Sequence, residues 1–380
     1  MNMTKLFTPY TLREITFKNR IAVSPMSQYR AKDGYANDWH LVHLGRFALG
    51  GAALVYAEAT AIEADARRTH GDLGIWEDGQ IEKLKQITSF IAQEGAVPAI
   101  QLSHAGRKAS ERRPWHGETP VDDEDVAERG EAPWQAIGPS AIPYADGWPT
   151  PLEMSEEDIQ RVIASFGQAA RRSLEAGFKM IEVYAAHGFL VHQFLSPIAN
   201  KRTDGWGGNA ENRRRFAVEV AKSIRAHWPD TYPLAFRLSA TDWLDGGVEV
   251  EDTVETAKAL KAAGVDIIDC STGGIGGKDR PRRMVIEQGF QVPFAEQIRK
   301  DADLPTMAVG FLWDAKACAD LISNGQADMV ALARELLDDP NWPLHAAAEL
   351  EADENHAAWP IESGWWLMKR DRLLKKLGLR

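Results

Sequence analysis

The sequence predicts an α/β protein of the (β/α)8 barrel, or TIM-barrel, class. Three observations support this prediction: eight apolar, β-rich runs recur along the 380 residues, five of them follow a glycine that ends a helical segment, and helical patterns separate the runs. Eight strand-then-helix units in a chain of this length favour one closed barrel over two domains. Residues 1–380 are therefore expected to form a single barrel domain.

The glycines fit the ends of the preceding helices, because a helix often ends in a left-handed residue that only glycine adopts without a steric penalty. The three runs without this glycine still have strand composition. In chain order, the eight predicted strands lie within IAVSPM (21–26), ALGGAALVYAEAT (48–60), AQEGAVPAIQLSH (92–104), EAGFKMIEVYAAH (175–187), LAFRLSA (234–240), KAAGVDIIDCSTG (261–273), PTMAVGF (305–311) and SNGQADMVALAR (323–334).

Two of the intervening helices are well defined in the sequence. One is predicted over 156–177 behind the capping residue Ser155, and another over 211–228. A doubly wound parallel sheet is the alternative fold. It is disfavoured because no GxGxxG follows the first strand, and GGIGGK (273–278) has the wrong spacing for a dinucleotide-binding turn or a P-loop.

One segment, residues 110–153, interrupts the strand-helix alternation and is rich in Pro, Trp and acidic residues. Long loops in compact domains are often functional, so this insertion is either an ordinary solvated loop or a lid over the site. Its acidic centre, DDED (122–125), is expected to be solvated.

Composition restricts the partners. A net charge of −11 and a pI near 5.5 argue against nucleic acid and anionic membranes, and favour a small molecule. Two cysteines, Cys270 and Cys318, are too few for a disulfide framework or an iron-sulfur cluster. The chain shows no apolar run of signal-peptide or membrane-spanning type, so a cytoplasmic location is expected.

Polar residues are concentrated where the predicted strands end, which is where barrel enzymes carry their active sites. They include Ser24–Ser27 and Tyr29, Glu58–Thr60, Gln101, Ser103 and His104, Tyr184 and His187, Arg237 and Ser239, Ser271–Gly274, Gly310, and Ala333 and Arg334. A metal site is disfavoured: HLVH (40–43) places two imidazoles on one helical face, but no motif such as HExxH is completed. A serine hydrolase is also disfavoured, because no GxSxG occurs.

A flat cofactor with a phosphate tail fits this ring of residues better. Ala59 and Gly310 leave room for a planar ring, Gln101 matches an amide-like pyrimidine edge, and Arg237 neutralises negative charge on the ring. Gly310 and Arg334 follow the seventh and eighth strands, where barrels of this class usually bind phosphate. These features describe flavin mononucleotide, FMN.

Six longer motifs occur in order along the chain: LFTPYTLREITFKNRIAVSPMSQY (6–29), GDLGIW (71–76), IQLSHAGRKAS (100–110), HGFLVHQFLSPIANKRTDGWGGNAENRRRF (187–216), RLSATDW (237–243) and ARELLDDP (333–340). They resemble the old yellow enzyme family of FMN-dependent reductases, in particular its thermophilic-like class with xenobiotic reductase A. The resemblance implies a (β/α)8 barrel that binds FMN, is reduced by NADPH or NADH and is reoxidised by an activated alkene.

The resemblance also assigns site residues. Those expected to bind FMN are Ser24, Pro25, Met26, Ser27, Ala59, Gln101, Arg237, Gly310, Ala333 and Arg334. Tyr29, Tyr184 and His187 are expected to face the substrate, and the last two to polarise its carbonyl group while flavin N5 delivers hydride. It further implies a homodimer or larger even assembly, in which the C-terminal tail (355–380) either packs on its own barrel or covers a neighbouring site.

Three residues depart from the family pattern. Tyr184 replaces a usual histidine, Phe189 replaces the tyrosine that usually protonates the α-carbon, and Ser27 replaces a cysteine that often tunes the flavin. Reduction of an electron-poor C=C bond is the first functional prediction. Flavin-dependent amine dehydrogenation or demethylation and acyl-CoA reduction are alternatives, and a flavin-free lyase, hydrolase or non-catalytic binding barrel is a remote one.

Overall fold

The computed structural model describes residues 4–277 and 284–379. Eight parallel strands form a barrel that closes because the first strand pairs with both the second and the last. In chain order these strands are β3 (Ile21–Val23), β4 (Leu54–Ala61), β6 (Val97–Ser103), β9 (Met180–Ala185), β10 (Leu234–Ser239), β11 (Ile267–Ser271), β12 (Thr306–Ala308) and β13 (Met329–Leu332). The predicted (β/α)8 barrel is confirmed, and each barrel strand lies within a predicted run, except that β4 extends one residue beyond its run, to Ala61.

A short antiparallel hairpin precedes the barrel. It consists of β1 (Tyr10–Leu12) and β2 (Ile15–Phe17). Leu12 and Phe17 pack in one buried cluster with residues from all eight barrel strands, among them Met180, Ala235 and Ile267. Because side chains alternate along a strand, the residues two positions further along β9, β10 and β11 also point into the barrel.

In residues 4–277 and 284–379, twelve α-helices lie between and after the strands. They are α1 (Asp38–Leu49), α2 (Ile81–Gln93), α3 (Asp123–Arg129), α4 (Glu156–Glu175), α5 (Leu190–Leu195), α6 (Ala210–Arg225), α7 (Val250–Ala262), α8 (Val292–Asp301), α9 (Ala315–Ser323), α10 (Arg334–Asp338), α11 (Trp342–Glu349) and α12 (Ile361–Lys376). The cap predicted at Ser155 is present, since its hydroxyl accepts from the Asp158 amide at 3.1 Å. None of the helices in the described ranges is long and apolar enough to span a membrane.

Besides the β1–β2 hairpin, three short strands of the described ranges lie outside the barrel: β5 (Leu73–Gly74), β7 (Ile137–Gly138) and β8 (Leu152–Glu153). The last two belong to the insertion, together with α3. The expectation that the acidic run 122–125 is solvated holds for Asp122, Asp123 and Glu124, which are exposed, but is wrong for Asp125. Asp125 is fully buried, and its carboxylate is held by Arg112 and Arg129. The run starts a helix, with Asp122 as its capping residue, because acidic groups are favourable at a helix N-terminus.

Candidate active site

A cavity of about 460 Å³ opens where β10 to β13 end. Its size is typical of a small-molecule site. The residues predicted for the site that line it are Ser24, His187, Arg237, Gly310, Ala333 and Arg334. Phe311, Trp313 and Gln291 also line it, and sequence reasoning did not include them. The structure thus places six of the thirteen predicted cofactor and substrate residues at one cavity.

Gly310 shapes one wall of this cavity. It has a φ of +115°, a conformation that glycine reaches without strain. A Cβ atom at this position would lie 2.9 Å from Gln291 Cβ and 3.0 Å from the Gln291 backbone nitrogen. A side chain at position 310 would therefore push into the loop that holds Gln291, whose amide donates to Thr272 Oγ1 at 2.7 Å.

Arg237 supplies a fixed positive charge to the cavity. Its Nη1 donates to Ser24 Oγ at 2.9 Å, and its Nε lies 3.5 Å from Asp269 Oδ2. Burial works against the guanidinium charge, but Asp269 and Glu182 outweigh burial and raise the pKa of Arg237. The guanidinium therefore remains charged, with one edge held by the protein.

The remaining predicted cofactor residues lie outside the 460 Å³ cavity, on the other side of the mouth. Pro25, Met26 and Ser27 follow β3 and are half-buried. Ala59 sits at a bulge in the pairing of β4 with β6, opposite Gln101. Gln101 is buried, and its amide nitrogen donates to Glu182 Oε1 at 2.7 Å.

Tyr184 and His187 form a hydrogen-bonded pair at the end of β9. Tyr184 Oη lies 2.8 Å from His187 Nδ1, and His187 Nε2 lies 2.6 Å from Ser271 Oγ. Burial, and then the charges of Arg237 and Lys108, lower the pKa of His187 well below its usual value. The imidazole is therefore neutral, and the three side chains form one continuous chain of hydrogen bonds.

The backbone at His187 is constrained as well. His187 has a φ of +53°, an uncommon conformation for a residue with a side chain. Its amide donates to Ser239 Oγ at 3.0 Å, and a Cβ added at Gly274 would lie 2.5 Å from His187 Cα. Strained residues held by their surroundings are concentrated at functional sites.

Tyr29 lies near this pair, on the side of the insertion. Its φ is +55°, its hydroxyl accepts from Arg68 Nη1 at 3.3 Å, and its ring makes an edge contact with Trp115 at 5.6 Å. Burial raises the pKa of the Tyr29 hydroxyl. On the far side of Tyr184, the Phe189 ring stacks at 4.0 Å between centroids.

Lys108 was missed by sequence reasoning. It is buried, its Nζ donates to the His187 carbonyl at 3.1 Å, and it lies 4.7 Å from the Tyr144 ring and 5.7 Å from the Phe189 ring. Burial lowers the pKa of Lys108 to about 7. Its position just after a strand end, in the run SHAGRK, was the available signal. Glu182 and Asp269 were also missed, although a charged residue inside an apolar strand run is unusual.

Among the other histidines, His40 and His192 contact acidic side chains, whereas His43 lies against Arg46. His40 Nε2 lies 3.1 Å from Glu58 Oε1, and His192 Nε2 lies 2.8 Å from Asp242 Oδ1. Over the described ranges, no group of three or more His, Cys, Asp or Glu side chains is arranged to hold a metal ion.

Comparison with known proteins adds three findings. The sequence model of the NADH:flavin oxidoreductase / NADH oxidase family matches residues 5–353. An NADPH dehydrogenase of Geobacillus sp. (strain WCH70) is 42% identical over 364 residues, which cover 95% of this chain and 99% of that protein. Among solved structures, morphinone reductase superposes with a TM-score of 0.74 at 26% identity, covering 92% of this chain and 91% of that chain.

A further solved structure, 2-naphthoyl-CoA reductase in complex with 2-naphthoyl-CoA, superposes with a TM-score of 0.81 at 26% identity. The match covers 91% of this chain but 52% of that one. This chain therefore spans about half the length of the reductase.

Proposed function

Because the chain belongs to the NADH:flavin oxidoreductase / NADH oxidase family, the old yellow enzyme family, and is an FMN-dependent NAD(P)H oxidoreductase, we propose that it reduces activated C=C bonds. The substrate class is α,β-unsaturated carbonyl compounds or similarly electron-poor alkenes. The observation that carries this proposal is the Tyr184–His187 pair at the mouth of the barrel, beside a cavity that contains the Arg237 charge.

The residues at the mouth fit FMN. The cavity walls include the cation of Arg237, the side-chain-free position Gly310 and the small residue Ala333. Arg237 Nε is a buried donor without a hydrogen-bond partner, although Asp269 lies within ion-pair distance. When bound, FMN accepts hydride from NADPH or NADH and delivers it from N5 to the substrate.

We assign the FMN contacts to the predicted set. Arg237 would lie against the part of the ring that becomes negative on reduction, and Gln101 against the pyrimidine edge. Gly310, Ala333 and Arg334 would hold the phosphate end, as is usual after the last two strands of such barrels. The other proposed contacts are Ser24, Pro25, Met26, Ser27 and Ala59.

Tyr184 is the proposed donor to the substrate carbonyl oxygen. His187 is neutral and has both ring nitrogens engaged, so it orients Tyr184 and does not contact the substrate with a free N–H. With Ser271 donating to His187 Nε2 and His187 Nδ1–H donating to Tyr184 Oη, the phenolic proton is free for the substrate. Withdrawal of electron density from the carbonyl makes the β-carbon a better hydride acceptor.

A proton must also reach the α-carbon, and Phe189 cannot supply it. Tyr29 and Tyr184 are phenols on the substrate side of the site, but burial raises the pKa of both hydroxyls. Lys108 lies over Phe189 and contacts His187. An acid with a pKa close to the working pH is effective, and that of Lys108 is about 7. We therefore propose Lys108 as the general acid.

The insertion at about 110–153 is proposed to act as a lid. Trp115 contacts Tyr29, and Tyr144 lies against Lys108 while its hydroxyl donates to the Gly277 carbonyl at 2.6 Å. These contacts connect the insertion to the substrate side of the site and would keep water from it.

We also propose a cytoplasmic homodimer or larger even assembly, measurable by light scattering of the purified protein. Cys270 and Cys318 are buried free thiols, which suits a reducing compartment. Trp365 and Trp366 of α12 are 44% and 66% exposed, so the tail has apolar surface available for a second copy.

The likeness to 2-naphthoyl-CoA reductase favours one second candidate, reduction of an acyl-CoA thioester. One experiment separates the candidates. The protein is reduced anaerobically, and the return of the oxidised flavin absorbance near ~450 nm is followed with enones, nitro compounds and acyl-CoA thioesters. Methylated amines are electron donors, so they are added instead to the oxidised protein, where loss of the same absorbance would report amine dehydrogenation. Rapid recolouring by simple enones supports alkene reduction, recolouring confined to thioesters supports the second candidate, and no response to any alkene refutes both.

A further inference from the structure

Two acidic side chains lie inside the barrel next to Arg237. Glu182 of β9 and Asp269 of β11 are both 0% exposed. Parallel pairing places Gln101 beside Glu182 and Arg237 beside Asp269. Four polar side chains from four adjacent strands therefore meet in a barrel interior, a region that such folds normally fill with branched apolar residues.

The hydrogen bonding of these groups is incomplete if both acids are ionised. Glu182 Oε1 accepts a hydrogen bond from Gln101. In the described parts of the chain, no hydrogen-bond partner is found for Glu182 Oε2, for either carboxyl oxygen of Asp269 or for Arg237 Nε. The two carboxyl groups lie in the barrel interior on β9 and β11, the strands on either side of Arg237. Two carboxylates only accept hydrogen bonds, so a contact between them requires a proton.

The charge balance leads to the same conclusion. Two ionised carboxylates beside one guanidinium would leave a net charge of about −1 in the buried interior, which desolvation and like-charge repulsion disfavour. One proton on the pair makes the cluster neutral. Burial, and then the negative charge of Asp269, raise the pKa of Glu182 well above its usual range. Asp269 Oδ2 lies 3.5 Å from Arg237 Nε, which stabilises the ionised form of Asp269, so we assign the proton to Glu182.

We propose that Glu182 and Asp269 form a carboxylic acid–carboxylate pair that holds one proton beneath the cofactor, and that this pair fixes how much of the Arg237 charge acts on FMN. Glu182 and Asp269 are thus positioning residues: they act through Gln101 and Arg237 and do not contact the substrate. The effect on FMN rests on the proposed function, in which FMN lies against Arg237, whereas the shared proton does not.

The groups that face the pair come from each neighbouring strand. Gln101 of β6 donates to Glu182, Arg237 of β10 faces Asp269, and Tyr56 of β4 lies within reach of Glu182. Burial raises the pKa of Tyr56 well above its usual value, so the phenol stays neutral. Arg237 is therefore the cation that balances the one negative charge left on the pair.

The proton itself is tested by infrared spectroscopy of the purified holoprotein in H2O and D2O at pH 8. The expected result is a protonated carboxylic acid C=O band that shifts in D2O and is lost in both Glu182→Gln and Asp269→Asn. The control is Asp242→Asn, which should leave the band unchanged. Burial raises the pKa of the Asp242 carboxyl, but His192 and Ser196 outweigh burial and lower it overall, so this buried group is already ionised. A wild-type spectrum without the band would overturn the proposal, and this measurement needs no variant.

The coupling to FMN is tested by the midpoint potential. Each single amide variant keeps one carboxyl group, which ionises to balance Arg237, so each should change the potential little. The double variant Glu182→Gln/Asp269→Asn leaves Arg237 unbalanced and should favour reduced, negatively charged FMN by at least ~10-fold, or ~30 mV for a two-electron couple. Such non-additivity is the sign of a shared charge.

Other outcomes would contradict either the shared proton or its coupling to FMN. Equal, additive rises in potential in the two single variants would mean that both acids are ionised. A band that persists in either single variant would mean that the two acids do not share a proton. A band that behaves as expected, with no change of potential in the double variant, would refute the coupling to FMN and the placement of Arg237 against the ring, while retaining the pair.

Discussion

Replacement of Tyr184 by phenylalanine removes the hydroxyl that we place on the substrate carbonyl oxygen. His187 Nε2 is bound to Ser271 and its Nδ1 to Tyr184, so the phenol is the donor of this chain that remains free for a ligand. Loss of one preorganised donor of this kind costs roughly 3 to 4 kcal/mol, which corresponds to a ~100- to 1000-fold slower hydride transfer. Removal of the hydroxyl also leaves His187 Nδ1 without its partner.

The assay isolates the oxidative half-reaction. FMN is reduced photochemically, so that the result does not depend on NADPH binding, and the reduced protein is mixed with an enone in a stopped-flow instrument. Tyr184→Phe should bind FMN normally and reoxidise at least ~100-fold more slowly. The matched control is Tyr232→Phe, which removes a phenol that contacts Lys179 away from the mouth. Reoxidation of Tyr184→Phe at the wild-type rate would show that Tyr184 is only a wall of the pocket.

Four other substitutions test the remaining roles. Arg237→Ala should impair FMN retention or reduction by several kcal/mol, and normal flavin content with a normal reduction rate would refute this. Ser27→Cys should shift the midpoint potential without unfolding the protein, because a thiol is more polarisable than a hydroxyl. Phe189→Tyr should accelerate reoxidation by simple enones, since it restores an acid worth ~10²- to 10⁴-fold. Lys108→Met should slow reoxidation and remove its decline above pH 7, and Phe189→Tyr in that background should restore the rate.

Lys108 also predicts a pH dependence of stability. Burial lowers its pKa from 10.5 to about 7, so between these values the unfolded chain binds more protons at this group than the folded chain. The free energy of unfolding should therefore rise as the pH increases from 7 to 9. Denaturant titrations should show this rise in the wild type and a smaller one in Lys108→Met. Equal slopes would mean that the lysine is not held in a desolvated site.

The barrel was predictable because its signals are local. A glycine before each of five apolar runs and an apolar stripe on the following helix are visible within about 20 residues, and a closed barrel is the usual result of eight such units. The acidic helix α3 was missed for a different reason. The burial of Asp125 depends on Arg112, which lies before the run, and on a hairpin-like return of the chain that no periodicity predicts.

The site was only partly predictable because strand register is not local. Gln101, Glu182, Arg237 and Asp269 are separated by up to 168 residues in sequence, and they meet because their strands are adjacent and in register. The motifs identified Gln101 and Arg237, which the family resemblance predicts to contact FMN. Glu182 and Asp269 were treated as parts of apolar runs, since the inward-facing positions become evident only after the barrel is closed.

The shared proton changes how the Arg237→Ala variant should be interpreted. If both acids were ionised, removal of the guanidinium would place two unbalanced negative charges beneath FMN, and the flavin defect would measure repulsion. If the pair already holds one proton, loss of Arg237 leaves Asp269 as one unbalanced negative charge in the buried interior. Burial then favours protonation of Asp269 as well. The variant should therefore show a second, stronger carboxylic acid band in the infrared spectrum. If the second band is present, the FMN defect of Arg237→Ala reports only the loss of the cation. If the second band is absent, the defect also contains repulsion between FMN and the ionised Asp269.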